Sequence, residues 1–541
     1  MKKISGLLLM GCSALALAGC GADDISSPGA GSINVPITNP TPTPTPTPGT
    51  GLVEAAADCP AIGATGGLTN SGTIEGPEGT WRVCTLPSLI NANTTLPKVD
   101  GVLYRMNGRV DVGCDGGLTA PTTAAPFATK TLSCGGRSLT SDTNVTLTIE
   151  PGVIVYGQNG AEPAWLAVNR GNKINATGTL AQPIIFTTYE NVRGTATEST
   201  DGRWGGVVLM GRGITTDCTA GGNVTDVTCE RDTEGSANPA IFGGKDNSYN
   251  AGIMKYVQIR FSGYVLGSDT ELQALTGEGV GTGTTLDFIQ SVNSSDDGAE
   301  FFGGAVNMKH YIAVNADDDS LDIDTGVQGN FQYVIIAQRN ADGDSLMEVD
   351  SNGREDQTPR QKSTVANFTA IQNGANNNSN DAAIFVRGNA DLHLVNGVIV
   401  APNIAANSDT NTDACIRING TGTTATRATL AADSVVISCR SGQEFLGTGS
   451  YTAATVKAAF DAGTNNNSAF TSTLTSTFVN GANENGVAAY ANLQSISSFF
   501  DAVTYIGAVK DASDTWYRGW TCDTATANFG SNSACTALPV T

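Results

Sequence analysis

The sequence predicts an all-β chain wound as a parallel β-helix, with a disulfide-stapled N-terminal cap region and a partly helical C-terminal cap. Three observations predict it. Short runs such as TLTIEPGVIVYG (Thr146–Gly157) alternate polar and apolar residues and break at turn residues. The 541 residues include 65 Gly, and only 15% are charged, a composition of many turns. VNSSDDGAEFF starts at Val292, VNADDDSLDID at Val314 and NADGDSLMEVD at Asn340. That self-similarity, at roughly twenty residues or a little more, marks a solenoid that grows by adding coils.

The elements follow in order. Lys2 and Lys3 precede an apolar run, Ile4 to Leu17, too short to span a bilayer, and then LAGC ending at Cys20. Residues 1–19 read as a signal peptide. LAGC resembles the lipobox of bacterial lipoproteins, which implies cleavage before Cys20 and acylation of its thiol. Gly21, in place of Asp, favours the outer membrane of a Gram-negative cell by analogy with enterobacterial sorting. The expected address is a lipid-anchored outer-membrane protein, cell-surface or in the periplasmic leaflet. Residues 20–55 hold this cysteine and a strict Pro-Thr alternation, Pro40 to Pro48, a semi-rigid spacer of about 3.1 Å per residue.

Residues 56–140 are irregular and carry four cysteines; they are expected to cap the first coil. The β-helix is expected over 141–445. In it, WLAVNRGNKINATG (from Trp165), PIIFTT (Pro183–Thr188) and RWGGVVLMG (Arg203–Gly211) continue the pattern. Residues 446–541 are expected to form a cap or packing arm, because TAATVKAAFDAG (from Thr452) has helical spacing. Ten cysteines remain after Cys12 and Cys20. An even number in an exported chain reads as disulfides, with sequential pairing expected: Cys59–Cys84, Cys114–Cys134, Cys218–Cys229, Cys415–Cys439 and Cys522–Cys535.

TLTIEPG followed by NKINATG and PIIFTT resembles the opening coils of right-handed parallel β-helix proteins, the pectin-lyase-like fold. WGGVVLMG, DDGAEFFGG, ADDDSLDID with GVQGNFQYVIIAQ, and YIGAV with DTWYRGWT resemble a family of bacterial surface lipoproteins. The resemblance covers nearly all of the chain past residue 130. It implies a β-helix and carries no activity with it.

Without Lys2 and Lys3, 27 basic residues face 51 acidic ones. This excludes nucleic acid as a partner and suits cations or a basic partner. The acid is clustered. The 22-residue offset stacks Asp296 on Asp318, Asp297 on Asp319 and Glu300 on Asp322. Leu321 and Ile323 face inward, so Asp322 and Asp324 face out, and Glu348 and Asp350 repeat them one coil on. The offset grows from 25 residues at Asp344 to 26 at Glu348, which implies a bulge.

Coils stack about 4.8 Å apart, too close for like charges to stay ionised unaided. Ca²⁺, which takes about six to eight oxygens, suits the arrangement. Asp296, Asp297, Asp318, Asp319, Asp322, Asp324, Glu348 and Asp350 are its candidate ligands. A solvated acidic stripe that serves the turns is the competing reading. The catalytic candidates are Asp322, Asp324 and Arg387, with Asp381, Lys309 and Arg339 nearby. Paired carboxylates can cleave a glycosidic bond, as in some β-helix polygalacturonases. A cation with a basic residue can eliminate across a uronate, as in some pectate lyases. No nucleotide loop in a βαβ setting occurs, so no nucleotide cofactor is expected. The sequence favours a binding, adhesion or structural surface module, Ca²⁺-stabilised. Its partners would be outer-membrane lipid through Cys20 and a polysaccharide or envelope protein. A polysaccharide hydrolase or lyase is the alternative.

Overall fold

The computed structural model describes residues 52–540, apart from 159, 161–162, 235–239, 268–269, 340–342, 352, 375–381, 407–411, 422 and 424–425, and apart from the side chains of 265–270. Cys20, the Pro-Thr spacer and Asp381 lie outside the described residues.

Two long, predominantly parallel sheets alternate along the chain. One has 15 strands and the other 11. Each coil contributes one long strand to the first sheet and one short strand to the second. The long strands bend in the middle. Tyr256, Phe288, His310, Tyr333, Asn367, Asn396 and Ser434 all have left-handed φ near 50–60°. The parallel register runs on both sides of these residues and skips them. The bend gives each coil three faces around one core. Leu321, Ile323, Phe331 and Val349 lie in that core, as the alternation requires.

The sequence placed the start of the β-helix at 141, and the parallel ladder starts earlier. Gly79–Thr85 pairs in parallel with Val102–Met106, which pairs with Ile154–Gly157. Leu89–Ile90 pairs with Val110–Val112. The first coil therefore lies inside the stretch 56–140. Its strands are two to seven residues long, too short for alternation to show. The ladder also runs past 445, because Phe445–Gly449 pairs with Ala414–Gly420.

The helix Ala453–Asp461 then closes the open end. Thr452 and Thr455 form its capping box. Val456 and Phe460 are fully buried in the main core. From Gly463 the chain returns along the outside of the first sheet as an arm. Side-chain amides of the long strands hold it. Asn396 donates to Tyr490 O, Asn367 to Tyr505 O, Gln290 to Cys522 O and Gln258 to Trp520 O. The buried Arg260 donates to Cys535 O and Ala537 O, both at 2.8 Å.

Among the described residues, five disulfides are formed: Cys59–Cys84, Cys114–Cys134, Cys218–Cys229, Cys415–Cys439 and Cys522–Cys535. Cys59–Cys84 staples an irregular segment to a strand, and Cys415–Cys439 joins two strands.

A candidate cation-binding groove

The three consecutive short strands Glu300–Phe302, Asp322–Asp324 and Met347–Val349 form the floor of the site. Glu300 pairs with Asp322, Phe302 with Asp324, and Asp322 with Glu348. Phe301 and Ile323 point into the core, as do Met347 and Val349 on either side of Glu348, so Glu300, Asp322, Asp324 and Glu348 point outward in a column. The chain gains one residue between coils here. Asp344 N–H donates to Asp318 O, whereas Glu348 N–H donates to Leu321 O.

Pointing away from the core did not leave the column solvated. Asp296, Asp297, Glu300, Asp319, Asp324, Glu348 and Asp350 are each at most 7% exposed. Two upstream loops wall them in. One loop crosses the outside of the second sheet over an apolar cluster of Trp165, Met210, Phe242 and Phe302. It carries Arg231 and Glu234, and the Cys218–Cys229 bridge lies in it. The Arg231 guanidinium sits 5.1 Å over the Phe302 ring and 2.8 Å from Asp217 Oδ2. The other loop brings Glu271 and Gln273, whose Nε2 donates to Asp296 Oδ2 at 3.3 Å.

The result is a recessed cavity of about 510 Å³. Twelve carboxylates line it, against Arg231 and Arg387. Arg387 lies at one end, 2.9 Å from Glu348 Oε1 and 2.7 Å from Asp350 Oδ2. Its guanidinium is 5.4 Å over Phe385, and Arg417 lies 4.5 Å over the same ring. No aromatic residue lines the cavity among the described residues.

Some of the carboxylates have backbone roles. Asp297 Oδ1 accepts from Asp319 N–H at 2.8 Å, and Asp319 Oδ1 accepts from Ser345 N–H at 2.7 Å. Asp322 and Asp350 each accept from the N–H of the following residue, at 2.6 Å. These bonds fix the side chains without neutralising them. The buried Arg170 shows a matched case, 2.6 Å from both Asp115 and Glu230. In the groove, Arg387 offsets only Glu348 and Asp350 among the described residues. Burial, with neighbouring negative charge added, pushes Asp296, Asp297, Glu300, Asp319, Asp322, Asp324 and Glu348 well above the usual carboxylate range. Asp318 stands exposed at the rim. Crowding by protein atoms and then the charge of Asp344 push it up to about 6, an effect that solvent at the rim weakens. One coil earlier on the same sheet, burial raises Glu278, the register partner of Phe302, to about 8.

Two sets of oxygens are close enough to share an ion. One oxygen each from Asp296, Asp297 and Asp318 lies within 4.8 Å of the others, and so do oxygens of Asp297, Glu300 and Asp322. Oxygen-only donors at this density fit a hard cation such as Ca²⁺. Asp324 Oδ1 is buried and meets no hydrogen-bond donor.

The fold agrees with a family assignment. A family model for the pectate-lyase-like β-helix domain matches residues 128–521. The chain belongs to that family. No curated protein and no solved structure matches it.

All eight sequence-predicted ligands line this one groove of the β-helix, together with Arg387. Lys309 and Arg339 do not. Lys309 is on the bent strand of the first sheet, 2.8 Å from Asp501 of the arm. Arg339 pairs with Asp317 and lies 3.6 Å from Asp201. Sequence reading missed Arg231, Glu234, Glu271 and Gln273. They stand on loops upstream of the repeat, with no periodic spacing to mark them.

Proposed function

We propose that this β-helix is a glycan-binding surface module whose acidic groove takes divalent cations and, through them, anionic polysaccharide. One observation carries the reading: among the described residues, twelve carboxylates converge on a recessed cavity with two guanidinium groups to offset them. Such a site is costly without a counter-ion. Cations bound there would present open coordination positions to the carboxylates or hydroxyls of a sugar chain. A purely structural envelope role has less support, because the exposed large apolar residues, such as Leu132 and Leu180, are scattered.

Anchoring belongs to the same proposal. Acylated Cys20 would fix the chain to the outer-membrane lipid, and the Pro-Thr spacer would hold the groove away from that surface. Radiolabelled palmitate should label the wild-type chain in cells and leave Cys20→Ala unlabelled.

One observation favours a second reading, hydrolysis. Glu300 is buried, its neighbour Asp322 is half-buried, and both are pushed to high pKa, so one can hold a proton near neutrality and act as an acid. Elimination with Arg387 as base has less support. Burial alone would ease its deprotonation, but the charges of Glu348 and Asp350 outweigh that and hold it protonated. A screen of acidic and neutral polysaccharides separates these readings. Binding to acidic chains in Ca²⁺, lost in EDTA and without new chain ends, supports the module. New reducing ends indicate a hydrolase, and new unsaturated ends a lyase. No binding to any chain in Ca²⁺ sinks the glycan reading.

A further inference from the structure

We propose that the groove holds two divalent cations of the calcium type side by side, bridged by the carboxylate of Asp297. The proposal rests on the reading of the groove as a cation site and adds the number of ions and the residue they share. The two clusters of close oxygens have only Asp297 in common. Asp296 and Asp318 complete the first, and Glu300 and Asp322 the second. Asp297 is 4% exposed, and its Oδ1 already accepts from Asp319 N–H, so its carboxylate is held in one orientation between the clusters. The second cluster spans two coils, because Glu300 and Asp322 are register partners about 4.8 Å apart.

Charge points the same way. Arg387 lies against Glu348 and Asp350, and Arg231 against Asp217. Among the described residues, the five carboxylates of the two clusters have no such cationic partner within ion-pair distance. One dication offsets two of these charges, and a pair offsets four. An independent sign of a ligand is Asp324, on the same floor strand as Asp322. It is 6% exposed and lines this cavity, and its buried Oδ1 has no donor. Buried acceptors are rarely left so.

The test is the calcium content of the full chain. Protein stripped with EDTA is dialysed to equilibrium against CaCl₂, and calcium per chain is measured by mass spectrometry. Two ions per chain are expected for wild type. Asp318→Asn, which touches only the first cluster, should retain one, and Glu300→Gln, which touches only the second, should retain one. Asp297→Asn should lose both. Each substitution removes charge from a repulsive cluster, so the variants should fold, and circular dichroism checks this. One ion per wild-type chain overturns the pair and leaves the cation site standing. No ion overturns both readings. Two ions that persist in both Asp318→Asn and Glu300→Gln place calcium elsewhere and also overturn the proposal.

Discussion

Two columns of like residues climb this β-helix, and the same spacing stabilises one and strains the other. At the bend of the long strands, the rings of Tyr256, Phe288, His310 and Tyr333 stack at 4.5, 4.1 and 4.7 Å between centroids. Trp516 and Trp520 of the returning arm meet their edges. On the second sheet, Glu300, Asp322 and Glu348 stand in the same kind of register. Stacked rings attract, and stacked carboxylates repel. A coil repeat therefore amplifies whatever chemistry occupies a position. The attractive column is covered by the chain's own arm. The repulsive one opens on a cavity.

If the columns are independent, breaking one leaves the other unchanged. Trp520 is fully buried; its Nε1 donates to Trp516 O at 2.9 Å, and its carbonyl accepts from Gln258. Trp520→Ala should cost about 3–5 kcal/mol, as for other buried large side chains. Calorimetry should show the lower melting temperature, while the rise on adding Ca²⁺ keeps its wild-type size. Loss of the calcium response in this variant would mean that arm and groove form one cooperative unit.

The groove should behave the opposite way. Asp322→Asn combined with Asp324→Asn removes one half-buried and one buried charge from the repulsive column. In EDTA the double variant should be more stable than wild type by about 1–3 kcal/mol, the scale of a buried group left without its partner. In Ca²⁺ it should lose most of the added stability. Denaturant titration with and without the ion reads both effects. A double variant less stable than wild type in EDTA would show that these carboxylates hold the coils together without a cation.

These two columns were unequally legible in the sequence. The acidic one could be read, because Asp296, Asp318 and their neighbours recur at a fixed offset within similar strings. Its burial could not, since the covering residues Arg231, Glu234 and Glu271 come from loops with no repeat. The aromatic column was invisible as a column: Tyr256, Phe288, His310 and Tyr333 differ in type, and no string marks a left-handed bend. The first coil was hidden for a related reason. Runs as short as VDV at Val110–Val112 carry too little alternation to declare a strand.

The pH dependence sharpens the contrast. Carboxyl groups with raised pKa bind more protons in the folded state than in the unfolded state. Their contribution is favourable at low pH and is lost as pH rises through the folded pKa, about 6 for Asp318 and about 8 for Glu278. Metal-free protein should therefore melt at higher temperature at pH 5 than at pH 8. Calcium should flatten that slope, because the ion replaces the protons. A slope of opposite sign in EDTA would show that the groove carboxylates are already compensated without an ion.

The smallest effect is expected at His310, where the two halves of the bend column meet. Its left-handed φ of 50° strains most side chains, whereas Asn adopts that region readily. The column itself changes to Asn at Asn367 and Asn396, beyond Tyr333. His310→Asn should therefore gain backbone ease and lose the stacking on Phe288 and Tyr333, worth about 0.5–1.5 kcal/mol per aromatic pair. It also alters the 2.8 Å contact with Asp287, a half-buried pair of modest value. The opposing changes should leave stability within about 1 kcal/mol of wild type. His310→Ala gains no such ease and loses the same stacking, so it should be the less stable of the two. Equal stabilities would show that stacking alone, and not the bend, selects the residue at this position.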